Sequence, residues 1–125
     1  MPILKRVIKY QDADVDPVFH ALADPTRRFL VDLLSQGPAT VSQLAEPLPI
    51  SMPAVFQHLK VLENSGLIRS EKVGRVRTCH LEPKMLDTAE TWIRARKAMW
   101  QRRLDRLDSF LAALPPENPE KKGKS

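Results

Sequence analysis

Apolar positions along this chain recur at helical spacing up to about residue 66, alternate through two short stretches, then return to helical spacing until residue 114. Residues 12–24 carry Asp12, Asp14, Asp16 and Asp24 and no Lys or Arg. Asp16-Pro17 reads as a helix N-cap followed by proline in the first helical position, and Val18, Phe19 and Leu22 give that helix one apolar face. Asp24-Pro25 repeats the start signal; Phe29, Leu30, Leu33 and Leu34 follow, and Gly37-Pro38 ends the helix. Thr40-Val41-Ser42-Gln43 has the form of a capping box, opening a helix with Val41, Leu44 and Ala45 that Pro47 stops early. Pro49-Ile50 links it to another helix, capped by Ser51, with Pro53 in the first turn where no amide partner is lost. Val55, Leu59 and Leu62 form the inner face of that helix, and Ser65-Gly66 closes it after about Asn64.

Residues 68–73 and 76–81 read as two strands around Gly74-Arg75, a type II′ hairpin signal. A two-residue loop sets Val73 opposite Val76, Lys72 opposite Arg77 and Ile68 opposite Leu81, so Ile68, Ser70, Cys79 and Leu81 share a face. In the long helix from 84 to 114, Leu86, Ile93, Trp100, Leu107 and Leu114 recur every seven residues; Met85, Ala89, Trp92, Met99, Leu104 and Leu111 widen the stripe. Such a helix spans roughly 45 Å. A domain of about 100 residues has a radius of gyration near 13 Å, so part of the stripe should stay uncovered in a monomer. Two short helices on a tight linker, followed by a hairpin, predict a mainly α fold with a small β-hairpin, a winged helix-turn-helix. The expected organisation is an N-terminal arm at 1–11, a DNA-binding domain at 12–83, a dimerisation helix at 84–114 and a disordered tail at 115–125.

Composition is that of an ordinary globule, 42% hydrophobic and 28% charged. The net charge is +5, which favours nucleic acid or an anionic surface; its location is more telling than its size. Across residues 51–80, Lys60, Arg69, Lys72, Arg75 and Arg77 face only Glu63 and Glu71. No apolar run is long enough to cross a bilayer, and the first residues, MPILKRVIKY, lack the features of a signal peptide, so a cytoplasmic location and no membrane partner are expected. Cys79 is the only cysteine, which excludes an intrachain disulfide and a Cys-rich metal site. No Ser/His/Asp set, paired carboxylates or Gly-rich phosphate loop argues for an enzyme, and no cofactor is implied.

Four stretches together resemble the ArsR-type family of bacterial winged-helix regulators: AlaLeuAlaAspProThrArgArg at 21–28, SerMetProAlaValPheGlnHisLeuLysValLeu at 51–62, SerGlyLeuIle at 65–68 and ValGlyArgValArg at 73–77. The last helix, with ArgArgLeuAspArgLeuAsp at 102–108, resembles the branch often encoded beside a START-like (SRPBCC) ligand-binding protein. The resemblance implies a homodimer that represses transcription by occupying double-stranded operator DNA. Metal-sensing members carry a paired-Cys motif where this chain has ThrValSerGlnLeuAla at 40–45; others bind zinc through clusters on the last helix, but residues 84–114 hold no His. No metal ligands are therefore expected. Phe56 stands where the family often has Ser.

The expected DNA-contacting residues are Ser51, Met52, Pro53, Ala54, Phe56, Gln57, His58 and Lys60 on the second helix of the motif, and Lys72, Arg75 and Arg77 on the wing. Glutamine can bond an adenine edge through two hydrogen bonds, and phenylalanine can touch a thymine methyl. His58, beside the core stripe, is either a packed histidine bonded to backbone or a phosphate contact. Cys79 falls on the inward face as an inert thiol, His80 on the opposite one. The expected dimer interface is Phe19, Leu86, Trp92, Ile93, Met99, Trp100, Leu104, Leu107 and Leu111, with Arg94, Arg96, Lys97, Arg102, Arg103 and Arg106 at its rim. A pocket there, lined by Trp92 and Met99, would suit an effector whose identity the residues do not reveal. The competing reading is a protein-interaction module whose winged helix and basic last helix dock a partner.

Overall fold

A computed structural model describes residues 15–116. The N-terminal arm at 1–11, Asp12, Asp14 and all but the first two residues of the tail lie outside the described residues. Two units divide the chain, one up to Trp92 and the other from Ile93.

The first unit contains α1 (Asp16–Leu22), α2 (Pro25–Ser35), β1 (Ala39–Thr40), α3 (Val41–Ala45), α4 (Met52–Asn64), β2 (Ile68–Val73) and β3 (Val76–Leu81), and α5 (Lys84–Ala113) begins in it. Helix starts follow the local chemistry. The Asp24 carboxylate accepts the Arg27 amide at 3.1 Å. Thr40 and Gln43 exchange both bonds of the capping box, at 2.9 and 3.1 Å. The Ser51 hydroxyl accepts the Ala54 amide at 3.3 Å. At α1 the cap lies one residue earlier than expected. Val15 occupies it, buried, with its carbonyl on the Phe19 amide at 3.0 Å, and Asp16 sits inside the first turn. A carboxylate there still favours the positive end of the helix.

Helix α4 ends in a Schellman arrangement: the Gly66 amide meets the Glu63 carbonyl at 3.0 Å and the Leu67 amide meets that of Leu62 at 3.1 Å. Gly66 has φ +82°, and a Cβ there would come within 2.9 Å of the Met85 Cγ. Both conformation and space therefore require glycine at this corner. At the hairpin tip Gly74 has φ +62° and Arg75 does not share the positive sign, as a II′ turn demands. The register is the expected one, from Val73 opposite Val76 to Ile68 opposite Leu81.

Two further features depart from expectation. Strand β1 adds a third member to an antiparallel sheet ordered β1-β3-β2, with Ala39 opposite Cys79 and Thr40 opposite Thr78. Two residues are too short to carry a period. On α2, Val31 rather than Phe29 joins Leu30 and Leu34 in the core, and Phe29 is 38% exposed. The core gathers Val18, Ala21, Leu44, Val55, Leu59, Leu62, Leu67, Ile68, Cys79 and Ala89 around that face.

The second unit holds the rest of α5. None of its described residues is buried, and Ile93, Trp100, Leu104, Leu107, Phe110, Leu111 and Leu114 all lie open. Among the described residues no helix is long and apolar enough to cross a membrane.

Candidate nucleic-acid interface

Helix α4 presents two faces. Val55, Leu59 and Leu62 are buried, which anchors the helix to the core. Ser51, Met52, Pro53, Phe56, Gln57 and Lys60 are exposed and Ala54 is half-buried. Met52 and Phe56 keep 43% and 46% of their surface in solvent, a cost that an interior position would have avoided. A groove of about 270 Å³ collects Thr40, Val41 and Ser42 from the start of α3, Met52 and Phe56 from α4, and Arg75, Val76 and Arg77 from the wing. One surface thus joins both helices of the motif to the hairpin. Ser42 belongs to it although nothing in its local sequence marks it beyond the capping box.

The wing's cations divide by face. On one side Arg69 Nε donates to Glu82 at 2.6 Å and its NH1 lies 3.9 Å from Glu71, which also holds His80 Nε2 at 3.0 Å. On the other side Arg77 donates to the Ser70 hydroxyl at 2.9 Å, and Ser70 donates to Glu63 Oε1 of α4 at 2.9 Å. These groups line a second groove of about 350 Å³ with Phe56, Leu59 and Lys60. Lys60, Lys72 and Arg75 make no ion pair or side-chain hydrogen bond among the described residues and stay exposed.

His58 is half-buried, with Nδ1 3.2 Å from Arg27 NH1 and 3.8 Å from Asp24 Oδ2. Because guanidinium only donates, Nδ1 must accept and the ring proton sits on Nε2. The partner is thus a side chain, not the backbone. Arg27 also donates to the Ala21 carbonyl at 2.7 Å and the His20 carbonyl at 3.1 Å; Arg28 reaches that of Leu22 at 2.8 Å. The two arginines of the 21–28 stretch therefore satisfy the end of α1, and Arg27 ties it to α4. The Arg27 amide bonded to Asp24 holds that carboxyl below its ordinary range against the opposing pull of desolvation, helped by the nearby Arg27 guanidinium. Cys79 is buried, and burial, with the Glu63 charge, pushes its thiol up.

The apolar residues expected at the dimer seam fall into two sets. Phe19, Leu86 and Trp92 are half-buried within the first unit; Phe19 and Leu86 pack against the core, and the Phe19 and Trp92 rings meet edge to face at 5.5 Å and 72°. Ile93, Met99, Trp100, Leu104, Leu107 and Leu111 are exposed on the second unit, Trp100 by 62%. Phe110 joins them at 61%, outside both the seven-residue repeat and the positions that widen it.

Comparison with known proteins fits this geometry. A model of the arsR family of bacterial regulatory proteins matches residues 24–70. The chain is 44% identical over 85 residues to the HTH-type transcriptional regulator Rv2034 of Mycobacterium tuberculosis, covering 64% of this chain and 79% of that one. It is 34% identical over 76 residues to the transcriptional repressor SdpR of Bacillus subtilis, covering 61% and 84%. The solved structure of an ArsR-like transcriptional regulator from Rhodococcus sp. RHA1 superposes with a TM-score of 0.77 at 31% identity, covering 83% of this chain and 95% of that one. The chain belongs to the ArsR family of winged helix-turn-helix, DNA-binding transcriptional regulators.

Proposed function

We propose that this protein is a homodimeric repressor that occupies operator DNA and takes no metal signal. The observation that carries the reading is the exposed face of α4, where Met52, Phe56, Gln57 and Lys60 lie open and where Met52 and Phe56 share a groove with Arg75, which is unpaired among the described residues. Each α4 enters a major groove with Ser51, Met52, Pro53 and Ala54 at its leading end. Phe56 and Gln57 face base edges; Lys60, Lys72 and Arg75 face phosphates. The relative from Bacillus subtilis is itself named a transcriptional repressor.

The dimer reading rests on the second unit. Ile93, Trp100, Leu104, Leu107 and Leu111 repeat along one stripe, and a helix with an apolar stripe and no buried side calls for a second surface to cover it. Two protomers then read two half-sites about 34 Å apart, so the operator is an imperfect palindrome. Footprinting on the DNA upstream of its own coding region tests this. A protected palindrome is expected; protection of one half-site by a monomer would overturn it.

Metal independence is supported by Cys79, whose buried, poorly ionised thiol makes a weak ligand, and by the ligand-free stretch from Thr40 to Ala45. Zinc, cadmium and arsenite titrated into the protein–operator complex are expected to leave it intact. Stoichiometric release at micromolar metal would overturn the reading.

A further inference from the structure

We infer that Glu63, Ser70 and Arg77 form a strut that holds the wing at its working angle to the recognition helix, so that Arg77 positions the wing and does not touch DNA. The inference rests on the DNA-binding reading and revises one residue's role within it.

The geometry is a continuous relay. Arg77 NH1 donates to Ser70 Oγ at 2.9 Å, and Ser70 Oγ donates to Glu63 Oε1 at 2.9 Å. Its three members sit on β3, β2 and the last turn of α4. Arg77 faces Lys72 across the hairpin, and Ser70 lies two positions nearer the base on the same face. The guanidinium therefore folds back along the hairpin. Packing holds only the hairpin's base: Ile68 and Cys79 are buried, while every residue from Glu71 to Arg77 is exposed. Among the described residues, the Ser70–Glu63 bond is the only side-chain hydrogen bond from α4 to the hairpin. Without it the outer half of the wing, a two-stranded ribbon, has no side-chain hydrogen bond to α4 among the described residues, and such ribbons are marginal alone.

Charge points the same way. Glu63 is the one carboxylate lining the groove between α4 and the wing, a surface otherwise edged by Lys60 and Arg77. Left uncompensated it would repel a phosphate backbone. Arg77, joined to it through Ser70, offsets that charge, so the pair adds nothing net to the surface. An Arg77 that left Ser70 for a phosphate would release the wing and expose the acid together.

Ser70→Ala tests this, because it removes the relay's centre without changing any charge. The measurement is operator affinity against log salt, by fluorescence anisotropy, for wild type, Ser70→Ala, Ser70→Thr and Arg77→Ala, with circular dichroism melts to verify folding. If the strut holds, Ser70→Ala weakens operator binding about tenfold, one lost restraint in each of two protomers, at an unchanged salt slope. Ser70→Thr, which keeps the hydroxyl, restores it. If Arg77 is instead a phosphate contact, freeing it in Ser70→Ala leaves affinity equal or higher, and Arg77→Ala lowers the salt slope by about two for the dimer. Either result overturns the strut. If wild type binds no duplex DNA in a salt-dependent way, the DNA reading itself fails, which is a separate outcome.

Discussion

Helix α4 and the second unit both leave large apolar side chains in water, but in different company. On α4, Met52 and Phe56 are exposed beside Gln57 and Lys60, and the opposite side of the same helix is fully buried at Val55 and Leu62. In the second unit, Ile93, Trp100, Leu107 and Leu111 are exposed and no described residue is buried at all. A helix anchored on one side, with polar groups among its outward apolar ones, can meet a surface that mixes hydrogen-bonding edges with methyl groups. A helix with an apolar stripe and no anchor lacks a core of its own and needs another protein surface. Exposed hydrophobicity alone therefore does not separate the two proposed roles; whether the opposite side of the helix is buried does.

The largest expected effect strikes the second unit. Trp100→Ala is expected to weaken self-association by about 3–5 kcal/mol, as large aromatic truncations in packed sites do, seen by sedimentation equilibrium. An unchanged dimer constant would move the interface off this stripe and break the comparison. Next is the anchor of α4. Leu62 is fully buried, and Leu62→Ala is expected to cost about 2–5 kcal/mol of folding stability in urea titration. A loss well below that would mean α4 is held by something other than its inner face.

Smaller changes sharpen the outer face of α4 and its wing. Gln57→Ala is expected to cost about 1–3 kcal/mol on operator and little on scrambled duplex, since base readout is what it removes. Arg75→Ala is expected to weaken both DNAs alike and to lower the salt slope by about two for a dimer, one phosphate per protomer. Equal losses on both DNAs for Gln57→Ala would place it on the backbone and dissolve the distinction.

The smallest effect is one of pH. The folded-state pKa of Asp24 is lowered, so its carboxylate stabilises the fold above its unfolded value of about 3.9, and that contribution is lost as pH falls through the folded pKa. The stability gap between wild type and Asp24→Asn, followed by thermal melts, should hold constant above about pH 5 and shrink below about pH 4. A gap that persists undiminished in acid would show that Asp24 acts only as a neutral cap.

Most of the local architecture follows from the residues alone. The capping box at Thr40–Gln43, the Ser51 cap, the Gly66 corner and the full register of the hairpin depend on groups within a few positions of each other. Such interactions are written in short stretches of sequence because chain geometry brings their partners together without help. The seven-residue stripe of the last helix was legible for the same reason; Phe110, exposed like its neighbours, lies outside both the repeat and the positions that widen it. What only the tertiary structure decided involves partners distant in sequence. Arg27 meets His58 across 31 positions, and Ala39 pairs with Cys79 to add a third strand. Phe29 yields its core place to Val31 once α2 packs against its neighbours. Arg77, one of five cations set against two carboxylates over residues 51–80, finds Ser70 and through it Glu63, while Lys60, Lys72 and Arg75 stay unpaired among the described residues. A side chain's charge is a property of the sequence. Whether that charge is offset within the fold depends on which face of which element comes to lie beside it, and that is set by how the helices and the sheet pack.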